Sequence, residues 1–305
     1  MDNLTHSLTG LALAQTGLAK HSRGATAVLV LASNLPDVDL IFGLRGTAAY
    51  LEHHRDMSHS IVGAPLLAVG LALASRAVVK QSRLPWLLLC SLLGVAGHVF
   101  MDLWTSYGTR VFSPFDHRFY AWDLVFIVDP LILALLLGTV MLATRPVLGA
   151  RAAAAGLALL LAYAGGREAL HARALKMALG QFPAGAVVDA AALPSPLDPF
   201  RWRAIVDTGP AYWTGEIRLN GAAAALARRD KLPETAAVAR VREASPVAAL
   251  FLEFSRFPWL EVEQTPEGTA VVWRDLRFER KGRESFTTRI VVGRDGRIRS
   301  ETFRF

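Results

Sequence analysis

A long apolar run over residues 84–101 constrains this chain most, because it ends beside an ionisable pair, His98 and Asp102. The run approaches the roughly 20 residues that a helix needs to cross a bilayer. Residues four apart share a helix face, so the imidazole and the carboxylate are predicted to lie side by side. A charge at membrane depth costs about 3 kcal/mol on insertion scales. From this pair alone two interpretations stay open: a divalent cation bound by both groups, or a hydrogen bond between helices.

The composition divides the chain into two parts of different character. Of its 305 residues 52% are hydrophobic, and the mean hydropathy is +0.33. Apolar residues dominate up to about residue 170, and charged residues dominate afterwards. This asymmetry predicts an α-helical polytopic membrane domain over residues 1–170 and a small α+β soluble domain over residues 171–305. The net charge of +7 could suggest nucleic-acid binding, but basic and acidic residues alternate without a recognition motif, so no nucleic acid is expected.

Six apolar segments are candidates for membrane crossings. They cover residues 4–19, 25–42, 61–79, 84–101, 124–143 and 152–164. The first is short, and the second is interrupted by Asn34-Leu35-Pro36-Asp37-Val38-Asp39. Irregular backbone at that depth needs protein or a wet cavity around it, so these two segments are expected to be partly buried or re-entrant.

The Lys and Arg residues of the short loops predict the orientation. If every segment crosses, they fall on one side, which should be cytoplasmic. These residues are Lys20, Arg23, Arg76, Lys80, Arg83, Arg145 and Arg151. The protein is therefore expected in the inner membrane as a multi-pass protein, with the histidine-bearing loops and the C-terminal domain outside the cytoplasm.

Short β-prone runs follow residue 200. They lie at 203–206, 213–219, 270–278, 286–292 and 298–303, and Gly293-Arg294-Asp295-Gly296 predicts a hairpin turn between the last two. Residues 243–254 have helical spacing. No concentration of His, Asp, Cys or Ser marks this region, so its expected role is structural or in recognition.

Candidate metal ligands occur in five stretches, four of them at ends of predicted membrane segments. They are His6; Asp37 and Asp39; His53, His54 and His59; His98 and Asp102; and Asp116, His117 and Asp123. A lone histidine near an apolar segment is usually a satisfied core residue, but clustering on one predicted side favours a metal site. Imidazole and carboxylate without thiolate suit Zn²⁺, with Mn²⁺ or Fe²⁺ as other possibilities. No nucleophile elbow or Walker loop is present, which argues against a covalent serine route or ATP hydrolysis.

Several other polar residues have two possible interpretations. Arg55 could bind a substrate phosphate bidentately or meet lipid headgroups at the interface. Thr105 and Asp123 could orient a histidine or cap helices. Asp129, directly before a proline, is predicted to cap the next helix. The aromatic residues Trp86, Trp104, Tyr107 and Trp122 fit an interfacial belt.

The ordered set of motifs resembles the YdjM-like inner-membrane family of metal-dependent hydrolases. The motifs are Thr5-His6-Ser7, Leu35-Pro36-Asp37-Val38-Asp39, His54-Arg55-Asp56-Met57-Ser58-His59-Ser60, and Gly97-His98 with Asp102, Thr105 and Gly108. Trp122-Asp123, Val128-Asp129-Pro130 and Asp198-Pro199-Phe200-Arg201-Trp202 are similar to elements of longer members. The family is distantly similar to zinc-dependent phospholipase C and P1-type nucleases, which implies a helical multi-zinc site. Two positions depart from the family's pattern: Asp56 stands where the family usually has Gly, and Ser58 stands where Thr is common.

The resemblance implies that His6, Asp39, His59, His98 and Asp102 bind metal, with Asp37 as a bridging ligand. Asp37, Arg55 and Asp123 are the candidate catalytic residues. Together these inferences predict a membrane-bound metal-dependent hydrolase that acts on a phosphoester of a lipid or lipid-linked substrate, with membrane lipids as its surroundings. The alternative is a non-catalytic membrane scaffold or regulator that holds a structural metal and binds partners through its C-terminal domain.

Overall fold

Apolar helices form the first part of the chain. The computed structural model describes residues 1–221, 225–279 and 285–304. The helical elements are α1 (Asn3–Gln15), α2 (Ala25–Ala32), a 3₁₀ segment (Leu35–Arg45), α3 (Thr47–His53), a 3₁₀ turn (Met57–His59), α4 (Gly63–Val78), α5 (Leu84–Leu103), α6 (Pro130–Ala143) and α7 (Gly149–Leu179). The long apolar run over residues 84–101 is the single helix α5, which carries His98 and Asp102 near its end.

Fewer of these helices can span a membrane than the six apolar segments suggested. Among the described residues, α5 and α7 are long and apolar enough, and two bent pairs raise the number to four at most. One pair joins α2 to the 3₁₀ segment at 46°, and the other joins residues Thr47–His59 to α4 at 72°. The helices α1 and α6 have only 13 and 14 residues. The expected interruption of the second segment is thus a bend next to Pro36.

Two glycines bring α1, α2 and α5 into close contact. A Cβ at Gly94 would lie 2.6 Å from the Ala32 Cβ, and a Cβ at Gly10 would lie 2.7 Å from Ser33 Oγ. Both glycines therefore let a helix backbone approach the end of α2. This approach brings His6 of α1 and His98 of α5 together, as described below.

The helix α7 connects the two parts of the chain. It runs without a break from its apolar beginning to Leu179, so the predicted domain boundary at residue 170 lies inside it. Near its end, Ala174 and Ala178 are fully buried against Trp202 of the first sheet. The end of this long apolar helix thereby contributes to the core of the C-terminal part.

The described C-terminal part consists of two four-stranded antiparallel sheets, with a pair of helices between them in the chain. The first sheet has the order β1 (Asp189–Pro194), β2 (Arg201–Asp207), β3 (Ala211–Arg218) and β4 (Ala227–Asp230). After α8 (Ala236–Ala244) and α9 (Pro246–Phe254), the second has the order β5 (Pro258–Thr265), β6 (Gly268–Asp275), β7 (Thr287–Gly293) and β8 (Ile298–Arg304). The fold class expected from the sequence, membrane helices followed by an α+β domain, is confirmed.

The sequence patterns located most of these elements and missed some of them. The five predicted strands correspond to β2, β3, β6, β7 and β8, while β1, β4 and β5 were not predicted. The helix predicted over residues 243–254 is two helices. Ser245 caps the second helix by accepting a hydrogen bond from the backbone N–H of Ala248. Pro246 is its first residue, and proline is tolerated there because the N–H that it lacks would have no partner within the helix.

The second sheet and its helices pack over the loop that follows α5. Tyr107 lies among Phe254, Phe278 and Phe286, with ring centroids 5.0–6.2 Å away. The Arg277 guanidinium donates to the Ser106 and Tyr107 carbonyls at 3.0 and 3.2 Å. Burial raises the pKa of the Tyr107 hydroxyl well above its ordinary value, so it stays protonated. Trp104 and Tyr107 are both buried, so their expected place in an interfacial aromatic belt was wrong.

Candidate metal centre

Two histidine nitrogens from separate elements point at each other. His59, at the end of the 3₁₀ turn, and His98, on α5, approach to 3.1 Å between their Nε2 atoms. Both side chains are completely buried. Which of these nitrogens carry protons therefore decides what can lie between them.

The other nitrogen of each ring faces an acceptor. His98 Nδ1 lies 2.7 Å from the Ser33 carbonyl oxygen, which can only accept, so this Nδ1 carries the proton. His59 Nδ1 lies 2.9 Å from Ser58 Oγ and 3.2 Å from Asp39 Oδ2. The Ser58 hydroxyl donates to Asp39 at 2.6 Å, so its oxygen is left to accept from His59. In the neutral rings both Nε2 atoms therefore present lone pairs to each other.

Two carboxylates complete a group of four donors. Asp37 Oδ1 lies 3.5 and 3.6 Å from the Nε2 atoms of His59 and His98. Asp102 Oδ2 lies 3.3 and 3.4 Å from the same two atoms. Four ligands about 2.0–2.1 Å from a zinc ion in a tetrahedron are separated from one another by roughly 3.3 Å. The spacing of the donors therefore fits a metal ion of this size.

Polar atoms without partners support the same interpretation. Among the described residues, Asp102 Oδ2 and both ring nitrogens of His6 are buried and make no hydrogen bond. Buried polar groups are normally satisfied, so each such atom needs an explanation, and an ion is one. The ring of His6 stacks on His98 with centroids 3.8 Å apart, and its Nε2 lies 3.3 Å from Asp102 Oδ1.

Irregular backbone brings the acidic residues to the centre. The 3₁₀ segment begins next to Pro36, which forces the chain away from a regular helix, and Asp37 follows directly. The Asn3 amide donates to Asp37 Oδ2 at 2.9 Å and leaves Oδ1 facing the histidines. Arg55 adopts a positive φ of 61°, a region that is uncommon for residues other than glycine.

Asp39 is not one of the four donors, but its carboxylate contacts residues that surround them. Its carboxylate accepts from the Arg55 backbone N–H at 2.9 Å and contacts His54 Nδ1 at 2.8 Å. It also accepts from Ser58 and faces His59 Nδ1, as described above. Carboxylates that bind the remote nitrogen of a ligating histidine fix its orientation and raise its basicity. Asp37, Asp39 and His54 form a second, overlapping group of possible ligands.

Arg55 is part of the centre, although it was expected to meet a phosphate or lipid headgroups. Its side chain is only 2% exposed, and its Nη2 donates to Asp102 Oδ1 at 2.9 Å. Its Nη1 donates to Thr105 Oγ1 at 3.1 Å, and its guanidinium lies 4.9 Å from the Tyr107 ring centroid. The Met1 amino group also contacts Asp102 Oδ1. Oδ1 is thus held by two nitrogen donors, the Arg55 guanidinium and the Met1 amino group, and Oδ2 is the oxygen that faces the histidines.

Asp123, a candidate catalytic residue expected to orient a histidine or to cap a helix, lies outside the centre. It has a positive φ of 56° and accepts a hydrogen bond from Arg256 of the C-terminal part at 3.1 Å. Burial acts to lower the pKa of Arg256, but its hydrogen bonds to Asp189 and the charge of Asp123 raise it overall. Asp123 and Arg256 line a separate cavity of about 590 Å³ between α5, α7 and β1.

The remaining candidates are also outside the centre. Asp116 pairs with Arg118, whose hydrogen bonds lower the pKa of the Asp116 carboxyl, and His117 is exposed. Asp129 caps α6 by accepting from the N–H groups of Leu131 and Ile132, as predicted.

The structure adds two residues that the sequence did not mark, Asn3 and Ser33, and it gives His54, a candidate ligand, a supporting contact. His54 and Asn3 contact Asp39 and Asp37, and the Ser33 carbonyl fixes the tautomer of His98. The positions of Asn3 and His54 could have indicated such a role, since Asn3 lies three residues before His6 and His54 directly precedes Arg55. A backbone carbonyl carries no such signal.

Comparison with known proteins agrees with the geometry. The YdjM inner membrane protein family matches residues 1–172, more than half of the chain, so this protein belongs to that family. The YfhP C-terminal alpha/beta plait domain matches residues 237–304, which cover α8 except for its first residue, α9 and the second sheet. The uncharacterized protein YfhP of Bacillus subtilis (strain 168) is 29% identical in an alignment that covers 98% of this chain and 94% of the relative. No solved structure matches. The resemblance noted in the sequence is confirmed: this is a YdjM-family membrane protein with a buried His/Asp cluster that could hold a metal ion.

Proposed function

We propose that this protein is a membrane-bound metal-dependent hydrolase that cleaves a phosphoester of a lipid or lipid-linked substrate. The observation that carries the proposal is the 3.1 Å approach of the His59 and His98 Nε2 atoms beside two carboxylates, with both remote nitrogens engaged elsewhere. This donor set of imidazole and carboxylate suits Zn²⁺, and Mn²⁺ or Fe²⁺ are the alternatives.

The residues that would hold the ion are Asp37, His59, His98 and Asp102. A divalent ion in such a site supplies Lewis acidity toward a phosphoryl oxygen and lowers the pKa of water. Around it, Asp39 orients His59, and Arg55 fixes the Asp102 carboxylate through one oxygen. Arg55 Nε makes no hydrogen bond within the described residues, and the guanidinium charge stabilises negative charge that develops nearby.

The position of the donors relative to the candidate membrane spans supports a lipid or lipid-linked substrate. The donors lie on or beside segments that could span a bilayer, α5 and the two bent pairs. A phosphoester presented there is most simply that of a lipid or a lipid-linked molecule. We further propose that the centre and the C-terminal part face away from the cytoplasm, because the Lys and Arg residues of the opposite loops should stay inside.

A non-catalytic role for the metal is the competing function. Four protein ligands without an open position are typical of structural zinc sites, whereas catalytic zinc usually has three. The overlapping group formed by Asp37, Asp39 and His54 favours catalysis, because it offers donors for a second ion, and two-metal sites are typical of hydrolytic enzymes.

Hydrolysis assays on phosphatidic acid, a phosphomonoester lipid, and on a phosphodiester lipid would test the proposal. Full-length protein purified in detergent should contain stoichiometric metal and hydrolyse a phosphomonoester or phosphodiester lipid. A chelator should abolish the activity, and Zn²⁺ should restore it. Stoichiometric metal without hydrolysis of either lipid class would favour the structural role. Hydrolysis that survives complete removal of the metal would refute the metallohydrolase.

A further inference from the structure

A shallow apolar groove along α4 ends at the candidate metal centre. It has a volume of about 580 Å³, within the roughly 300–1,000 Å³ of small-molecule sites. Its lining residues are Leu35, Met57, Ser58, Gly63, Leu66, Leu67, Gly70, Leu71 and Ala74. The six on α4 recur at helical spacing and form one face, and the small residues Gly63, Gly70 and Ala74 create the depression.

Among the described residues, the one hydroxyl-bearing side chain that lines the groove, Ser58, also contacts the metal centre. Ser58 Oγ lies 2.6 Å from Asp39 Oδ2 and 2.9 Å from His59 Nδ1. One end of the groove is therefore polar and adjoins a proposed ligand, and the rest is apolar. From Gly63 to Ala74 the helix rises about 16 Å, close to the thickness of one leaflet of the hydrocarbon core.

We propose that this groove holds one acyl chain of the substrate, and that the phosphoester headgroup then lies at the metal centre. The substrate would enter sideways from the bilayer along α4. The inference rests on the proposed function, because it assigns the substrate's polar end to the same site. It names the substrate class as a membrane amphiphile with a phosphoester at one end, and it gives the α4 face a role in selecting chain length.

Gly70 allows a clean test. A Cβ at Gly70 would meet no atom within 4 Å, so Gly70→Leu should fill the groove without disturbing the helix packing. Gly138 on α6 has the same open surroundings and lies outside the groove, so Gly138→Leu is a matched control. Ala74→Phe, at an exposed position further along the groove, serves as a second variant if Gly70→Leu is poorly folded.

The binding experiment uses phosphatidic acid with a diazirine in its acyl chain, incorporated with full-length protein into nanodiscs. Photolysis should label peptides of residues 63–74, and Gly70→Leu should reduce this labelling about tenfold, the factor expected when two or so methylene groups lose their contacts. Gly138→Leu should leave it unchanged. The corresponding diazirine diacylglycerol, which has no phosphate, should label these peptides less. Equal labelling by both lipids would mean that the groove holds ordinary bilayer lipid, and the proposal would be wrong.

A hydrolysis measurement separates this inference from the proposed function. The activity ratio between long-chain phosphatidic acid and a water-soluble phosphomonoester should fall in Gly70→Leu and stay constant in Gly138→Leu. Headgroup-dependent labelling without hydrolysis would support the groove and refute the enzyme. Hydrolysis with an unchanged ratio in Gly70→Leu and Ala74→Phe would support the enzyme and refute the groove.

Discussion

His59 and His98 face each other through Nε2 atoms 3.1 Å apart, and hydrogen bonds hold both protons on the opposite nitrogens. Two lone pairs at this distance repel unless a cation lies between them. The carboxylates of Asp37 and Asp102 surround the same point, so a divalent ion balances the charges better than a single proton does. A proton shared between the two rings is the competing explanation, and it predicts a protein without metal.

The first prediction concerns metal content. His98→Ala removes one donor and leaves Asp102 partly uncompensated, so it should abolish stoichiometric metal and lower the free energy of unfolding by about 3–5 kcal/mol. His117→Ala, at an exposed histidine outside the centre, should change neither quantity. Elemental analysis and thermal unfolding in detergent measure both. Similar behaviour of the two variants, with no metal in the unsubstituted protein, would leave the shared proton as the explanation.

The second prediction separates orientation from ligation. Asp39→Asn keeps the size of the side chain but replaces an acceptor with an amide that can donate toward His54 and His59. Loss of such a supporting carboxylate typically costs 10- to 100-fold in metal affinity, so the metal should still bind but more weakly. Competition with a coloured chelator measures the affinity, and Asp116→Asn at the exposed pair with Arg118 is the control. An unchanged affinity would show that Asp39 does not support the centre.

The third prediction uses the unusual backbone at Arg55. Both Arg55→Ala and Arg55→Gly remove the ion pair with Asp102, but at φ 61° only alanine keeps the steric strain of a Cβ. Arg55→Gly should therefore be less destabilising than Arg55→Ala by about 1 kcal/mol. At Arg151, inside α7, the order should reverse because glycine is the poorer helix former. The same order at both positions would mean that the positive φ is not maintained.

The fourth prediction tests the close contact between α2 and α5. Gly94→Ala would put a Cβ 2.6 Å from the Ala32 Cβ and push His98 away from the end of α2. The overpacking should cost about 1–3 kcal/mol and weaken metal binding. Gly97→Ala on the same helix meets no atom within 4 Å, and it should be neutral or slightly stabilising. If Gly94→Ala is as stable as Gly97→Ala, the helices are not packed this closely.

The fifth prediction concerns orientation in the membrane. In a Cys90→Ala background, Arg83→Cys should react with a thiol reagent only from the cytoplasmic side, and His117→Cys only from the outside. Both positions are exposed, so access depends on the side of the membrane rather than on burial. Labelling of both cysteines by an impermeant reagent from one side would overturn the orientation, and it would also constrain how many of the two to four candidate spans cross.

The sequence by itself determined which His and Asp residues are candidate ligands and which of them lie on helices. The helical spacing of His98 and Asp102 puts them on one face of α5, and Pro36 interrupts the second segment, because both effects are local consequences of backbone geometry. Apolar length identified α5 as a helix able to span a membrane, although it overestimated the number of such helices, and β-prone runs bounded by turns identified strands such as β7. The family resemblance rested on the same short motifs.

Only the tertiary structure decided which of the candidates meet. His59 was a candidate ligand and Asp123 a candidate supporting or catalytic residue of the same site, yet Asp123 pairs with Arg256, and His59 faces His98. The burial of Trp104 and Tyr107 likewise follows from packing with distant residues. A sequence pattern reports neighbours within a turn or a strand, whereas Ser33, Asp37, His59 and His98 converge because glycines at helix contacts and a bent 3₁₀ segment fix distances between elements far apart in the chain.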